Sequence, residues 1–333
     1  MKKLALLLAL VLCFASFVSC GRAKLQSESF FFMDTVITVT LYTEDGLQAA
    51  DVFDGCRAIL SDLDSLWTRH GKGTAGDVYR CNQNESIIEH LDSRTVSLLR
   101  TALEVSGKTG GAFDITAAPM LDLWQSCGAE NRLPTPEELE HVKSLVGFEG
   151  LALEGQTLKK ERGEIRIDLG GIGKGGACDA LISYLVGTNI RGGLVTFGSN
   201  VAVFGEKPDG SPFRIALRDP KNAAGTVGEV LLRGGEVLSV SGDYERYVTV
   251  GGERYHHIVD PDSGYPSQSG LSSVTVICHD GALADALSTA LLVLGRERAL
   301  ELYEESVLDF EAILIASDGT LTVTEGLADR YSS

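Results

Sequence analysis

The sequence predicts an α+β fold: a single compact unit of short mixed strands and flanking helices, with scope for two lobes. Three observations lead there. Strand-like and helix-like segments come in blocks, not in a regular βαβ alternation. At 333 residues and 44% hydrophobic, the chain can bury one large core or two smaller ones. No low-complexity linker and no internal repeat divides it.

In chain order, Lys2 and Lys3 precede an apolar run over 4–18. Its roughly 15 residues suit a signal-peptide core and fall short of the 18 to 20 needed to span a bilayer. Residues 1–19 are predicted to be a signal peptide. Ser19-Cys20-Gly21 resembles the lipobox of bacterial lipoproteins, although Phe17 stands where Leu is usual. Cys20 is then the acylation site, residues 20–29 a lipidated tether, and 30–331 the working domain. The expected location is export, with a lipid anchor on the outer face of the cell (inner) membrane, periplasmic in a diderm. Two acyl chains anchor stably, so the membrane is a partner through the lipid alone.

Formal net charge is -17, and about -19 once Lys2 and Lys3 leave with the signal segment. That excludes nucleic acid and anionic headgroups as surface partners. Any anionic ligand needs a local site that overcomes the global field. Five of the seven cysteines remain after Cys13 is removed and Cys20 acylated: Cys56, Cys81, Cys127, Cys178 and Cys278. They lack C-x-x-C spacing, so neither a disulfide framework nor a thiolate zinc site is indicated.

TVITVTLY (35–42) alternates like a strand, and 47–67 carries apolar residues at helical spacing. A loop follows over 71–76, then a helix over 95–106. PTPEELEHVKSL (134–145) opens with Pro, Thr and paired Glu, a strong helix start. Short strands dominate 151–277, broken by Gly and Asp-Pro turns. Helices return over 282–294 and 296–305, and EAILIAS and TLTVT close the chain as strands.

IDLGGIGKGGACDA (167–180) spaces Gly171, Gly173 and Gly176 as G-x-G-x-x-G, after the strand-like EIRIDL and before a helical pattern. A Rossmann unit needs an acid about 20 residues on, and 188–205 contains no Asp or Glu. A Walker A loop needs Lys-Ser or Lys-Thr, and Gly175 follows Lys174. What remains is a glycine turn at a helix N-terminus, which favours negative charge, with Lys174 as a mobile cation and Asp168 at the strand end.

Asp285 and Thr289 lie four apart on one face of the helix in HDGALADALSTALLVLG. Their hard oxygens suit Mg²⁺ or Ca²⁺; a solvated turn with Thr289 bonded back to the backbone accounts for the spacing equally well. In RYHHIVDPDSGYP (254–266) strand geometry sends His256 and His257 to opposite faces, so they do not chelate one metal together. One of them is a candidate base or a satisfied core residue. SVSGDYERY (239–247) contains Ser241 without a G-x-S-x-G elbow, which argues against a serine hydrolase. In FDITAAPMLDLW (113–124), Asp114 and Thr116 either cap the following helix or face a ligand.

Six collinear blocks resemble the ApbE family of flavin transferases: FFMDT (31–35), GAFDITAAPMLDLW (111–124), IDLGGIGKGGACD (167–179), SVSGDYERYV (239–248), RYHHIVDPDSGYP (254–266) and SVTVICHDGALADALSTALLVLG (273–295). The resemblance implies a T-fold-like, ApbE-like domain and Mg²⁺-dependent transfer of FMN from FAD to a Thr or Ser hydroxyl of an acceptor protein, releasing AMP. It implies Gly171, Asp285 and Thr289 as metal ligands and His257 as the catalytic base. FAD contacts by the same resemblance are Met33, His70, Ala112, Phe113, Asp114, Asp168, Lys174 and Ile258. The implied acceptor is a flavoprotein subunit of a membrane redox complex of the Nqr or Rnf type. Three departures stand out: Asp34 replaces the family's Gly in M-G-T, Gly198-Ser199-Asn200 replaces Gly-Gly before an Asn or Asp, and Ala282 replaces an acid of some members. An FAD pyrophosphatase giving FMN and AMP, and a non-enzymatic FAD-binding lipoprotein, are the alternatives.

Overall fold

The computed structural model describes residues 24–43, 46–71, 76–222 and 224–333. The expected signal peptide, Cys20 and most of the 71–76 loop lie outside them. Strands β1 (Lys24–Phe32) and β2 (Thr35–Thr43) form a hairpin paired along its whole length. Residues 24–29, expected in the tether, therefore belong to the sheet. Hydroxyl pairs explain how so polar a strand is held: Ser27 with Thr40 and Ser29 with Thr38, each at 2.9 Å. Met33 and Asp34 make the turn with φ of 49° and 57°. A two-residue turn of this hand needs positive φ at both positions, which accounts for Gly in the family's M-G-T and for Asp as a tolerated substitute.

After α1 (Gly46–Trp67), α2 (Asp77–Cys81) and α3 (Ser93–Lys108), a short 3-10 turn leads into α4 (Ala118–Ala129) and α5 (Pro136–Lys143). The start of α5 is as expected, since Thr135 and Glu138 form a reciprocal capping box. β3 (Ile87–Ile88), β4 (Leu151–Glu154) and β5 (Thr157–Lys160) form a small sheet. Then come α6 (Gly173–Val186), β6 (Gly192–Phe197), β7 (Asn200–Gly205), β8 (Phe213–Arg218), β9 (Thr226–Leu232), β10 (Val237–Gly242), the β11–β12 hairpin (Tyr247–Val250, Glu253–His256) and β13 (Leu271–Cys278). Segment α7 (Gly281–Glu304) is interrupted at Gly295, whose φ of 80° and ψ of 173° are not helical, so the two helices expected on either side of it are both present. β14 (Glu311–Ala316), β15 (Leu321–Val323) and β16 (Tyr331–Ser332) complete the chain.

The central sheet is antiparallel, in the order β1-β2-β6-β7-β10-β13-β14-β15. Alternation along its middle strands splits the core in two. Val237, Val274, Val276, Ala312 and Leu314 face the helix side with α1, α3, α6 and α7. Leu238, Ile277 and Ile313 face the second sheet, β16-β9-β8, with its Phe213, Leu217 and Leu232. Ser239 and Ser241 share the parity of Val237 and so lie on the helix side. No helix among the described residues is long and apolar enough to cross a membrane.

EIRIDL, predicted as a strand, forms no ladder, although its burial alternates as a strand's would. Side chains hold it instead: the Asn82 amide brackets the backbone of Ile167, donating to its carbonyl at 2.9 Å and accepting its N–H at 2.7 Å. The Asp168 N–H meets the Ile115 carbonyl at 2.7 Å. Beneath it, the buried Lys160 ammonium shares its three N–H donors among four carbonyls, those of Cys81, Gln83, Gly163 and Ile165, at 2.7 to 3.0 Å.

Candidate active site

Helices α6 and α7 touch through glycine. A Cβ on Gly175 would overlap the Gly281 carbonyl and lie 2.7 Å from Asp285 Cβ; one on Gly281 would lie 2.5 Å from the Gly175 carbonyl. The contact brings the buried Asp285 carboxylate under the α6 N-terminus, where its Oδ2 accepts the Gly175 N–H at 2.9 Å. The expected anion site is thus partly filled by the protein's own carboxylate. Oδ1 accepts from Ser239 at 3.1 Å and lies 3.8 Å from Lys174 Nζ, which donates to the Gly170 carbonyl at 3.0 Å.

The glycines divide by task. Gly175 and Gly176 serve packing, the latter against Leu98 and Trp67, so the G-x-G-x-x-G spacing does not read as a phosphate cradle throughout. Gly171 opens onto the site: a Cβ there would lie 3.1 Å from the Phe113 ring and 3.5 Å from Thr289 Oγ1. The Met33 methyl lies 3.2 Å from where a Gly173 Cβ would be. Met33, Phe113, Gly171, Lys174, Asp285 and Thr289 are therefore brought together at one helix end.

Other expected contacts are engaged elsewhere. Asp114 is a cap: its Oδ1 accepts the Thr116 N–H and hydroxyl at 2.7 Å each, and its Oδ2 accepts the Phe148 N–H at 3.0 Å. Burial pushes its pKa up. Asp168 pairs with Arg69 at 2.7 Å and accepts the Gly170 N–H at 2.6 Å. No sequence signal marked Arg69. The buried Ile258 gives its carbonyl to Ser267 N–H at 3.0 Å, and half-buried Ala112 sits beside Phe113. His70 is exposed after α1, its amide donating to Thr68 Oγ1 at 3.2 Å.

His256 and His257 part company, as their alternation predicts. His256 Nε2 meets the Ser267 carbonyl at 2.8 Å, whereas His257 Nδ1 meets the Arg246 carbonyl at 3.1 Å. A carbonyl partner makes Nδ1 the protonated nitrogen and leaves Nε2 with a free lone pair. Burial, then the Arg246 charge, push the His257 pKa down to about 3. An aromatic cluster steadies this corner: Trp124 stacks on Tyr255 at 5.2 Å and donates to the Gly264 carbonyl at 2.7 Å.

The donor set fits a hard divalent cation. Asp285 and Thr289 offer a carboxylate and a hydroxyl beside Gly171, hard oxygens of the kind that would hold Mg²⁺ if a backbone carbonyl of the glycine turn and substrate phosphates completed its shell. Among the described residues no group of three His, Cys, Asp or Glu is placed to hold a metal ion.

A carboxylate, a hydroxyl and a lysine gathered at a helix N-terminus beside a glycine turn define an α+β protein equipped to handle phosphate esters. The ApbE family model matches residues 33–314. The chain belongs to the ApbE family. It is 35% identical to the FAD:protein FMN transferase of Vibrio cholerae over 232 residues, 69% of each chain. To that of Haemophilus influenzae it is 31% identical over 336 residues, 97% of this chain and 96% of the other. The crystal structure of the ApbE protein from Thermotoga maritima superposes with a TM-score of 0.83 at 27% identity, covering 93% of this chain and 100% of that one.

Proposed function

We propose that this chain transfers FMN from FAD to a Thr or Ser hydroxyl of an acceptor protein and releases AMP. The observation that carries the reading is the meeting of Lys174, Asp285, Thr289 and the Gly171 turn at one helix end, in a chain of net charge -17. In the reaction the acceptor oxygen bonds to the FMN-side phosphorus, the bond to the AMP oxygen breaks, and the hydroxyl proton passes to a base.

His257 Nε2 is that base. A ring with a pKa near 3 is neutral but weakly basic. The proton passes to Nε2 as the bond to phosphorus forms, in a reaction that relies on positioning and charge neutralisation more than on a strong base. An incoming diphosphate also raises this pKa by its negative charge. Lys174 turns from the Gly170 carbonyl to a phosphate oxygen, and the α6 N-terminus supports the same charge. Mg²⁺ held by Asp285, Thr289 and the Gly171 carbonyl supplies charge neutralisation when bound. Met33 and Phe113 offer apolar surface to a ring of FAD.

The apolar run 4–18 and Cys20 support export and a lipid anchor on the outer face of the cell membrane. An acceptor subunit of a membrane redox complex of the Nqr or Rnf type lies within reach of such an anchor. The test is incubation with FAD, Mg²⁺ and a candidate acceptor domain, followed by acceptor mass and free AMP and FMN. A mass gain of one FMN with AMP is expected. Free FMN and AMP without the gain replaces the reading by a pyrophosphatase, and unchanged FAD by a binding protein.

A further inference from the structure

The serines of SVSG, unexplained by any hydrolase motif, face Asp285 and Thr289 across the strand–helix contact. Two residues along a strand advance about 6.6 to 6.8 Å, and four along a helix about 6.0 Å. Ser239 and Ser241 on β10 are therefore in step with Asp285 and Thr289 on α7. Ser239 Oγ lies 3.1 Å from Asp285 Oδ1, and Ser241 Oγ lies 3.2 Å from Thr289 Oγ1. Both serines are buried, at 0% and 8% exposure.

We propose that Ser239 and Ser241 are positioning residues that set the Asp285 carboxylate and the Thr289 hydroxyl for a divalent cation, an inference that rests on the metal assignment above. The proton count gives each bond a direction. Ser239 has one proton and three oxygen neighbours, Asp285 Oδ1, the Asn200 amide oxygen at 2.9 Å and Ser288 Oγ, the most distant, at 3.3 Å. The charged acceptor takes it. Asn200 must then turn its NH₂ toward Ser239, and as placed that nitrogen is buried without a partner. On the other side, Thr289 donates to Ser241, Ser241 to Ser288 at 2.8 Å, and Ser288 to the Asp285 carbonyl at 2.9 Å. That direction leaves the Thr289 lone pairs open and sends its proton inward. A hydroxyl that ligates a cation needs this arrangement.

The test is Mn²⁺ binding by electron paramagnetic resonance, with ADP supplying diphosphate oxygens, on the full chain. Ser239→Ala and Ser241→Ala should each weaken Mn²⁺ binding by about tenfold, the low end for residues that orient metal ligands, while Ser241→Thr stays near wild type. Ser239→Cys keeps the volume, donates poorly, and should also lose affinity; it decides the matter where an alanine variant unfolds. Wild-type affinity in the alanine and cysteine variants would overturn the proposal. Asp285→Ala separates the two readings: if it alone loses Mn²⁺, only the serine assignment falls, and if it binds as wild type the metal assignment falls as well.

Discussion

Replacing Gly175 by Ala tests the helix contact on which the site depends. The new methyl would overlap the Gly281 carbonyl oxygen and approach Asp285 Cβ to 2.7 Å. Both obstacles are backbone or Cβ atoms of α7, so no side chain can swing clear. Ordinary contact is about 3.5 Å, and the helices must part by on the order of 1 Å. Overpacking of this kind costs about 3 kcal/mol, which lowers Tm by roughly 5 to 10 °C in a domain of this size. The same displacement draws Asp285 from the Gly175 N–H, and a misplacement of about 1 Å slows a positioned reaction by about 10²-fold. Thermal unfolding and FMN-transfer rates measured on one preparation check both effects. A variant with wild-type Tm and rate would mean that α6 and α7 do not meet at these glycines.

His257→Gln should slow transfer by about 10²-fold and leave FAD binding intact, measured by single-turnover mass gain and flavin fluorescence; lost binding would make the residue structural. Asp179 accepts the Gly281 and Ala282 N–H groups at 2.7 and 2.9 Å, and burial pushes its pKa up to about 7. The folded chain thus holds a proton that the unfolded chain has lost. The stability this gives is present below about pH 4 and fades as pH rises through about 7, so urea midpoints should show that slope in the wild type and lose it in Asp179→Asn. Lys160→Met should cost about 3 kcal/mol or more in chemical denaturation, because several carbonyls lose their donor at once.

Periodic and capped segments were legible in the sequence. The β2 alternation, the Thr135–Glu138 capping box and the Gly295 break in α7 all express local rules, and the structure obeys them. What was not legible depends on partners distant in the chain. EIRIDL has a strand's alternation, but Asn82, 85 residues upstream, replaces the ladder. The glycine spacing suggested an anion site, whereas its last member, Gly176, packs against Leu98 and Trp67, and its neighbour Gly175 packs against Gly281, more than 100 residues away. The Asp285–Thr289 spacing left metal ligand and solvated turn equally open. That Asp285 is buried against Ser239 and the Gly175 N–H, with Thr289 half-buried beside Ser241, depends on β10 and α6 and could not be read from the spacing.

Lys160 gives the molecule a property that composition does not reveal. Four carbonyls converging on one cation are what a bound alkali-metal ion would receive. Here the ion is covalently attached, so it can be neither washed out nor exchanged. The cation around which the segment ending at Asp168 is built comes from the chain itself and not from the surrounding medium.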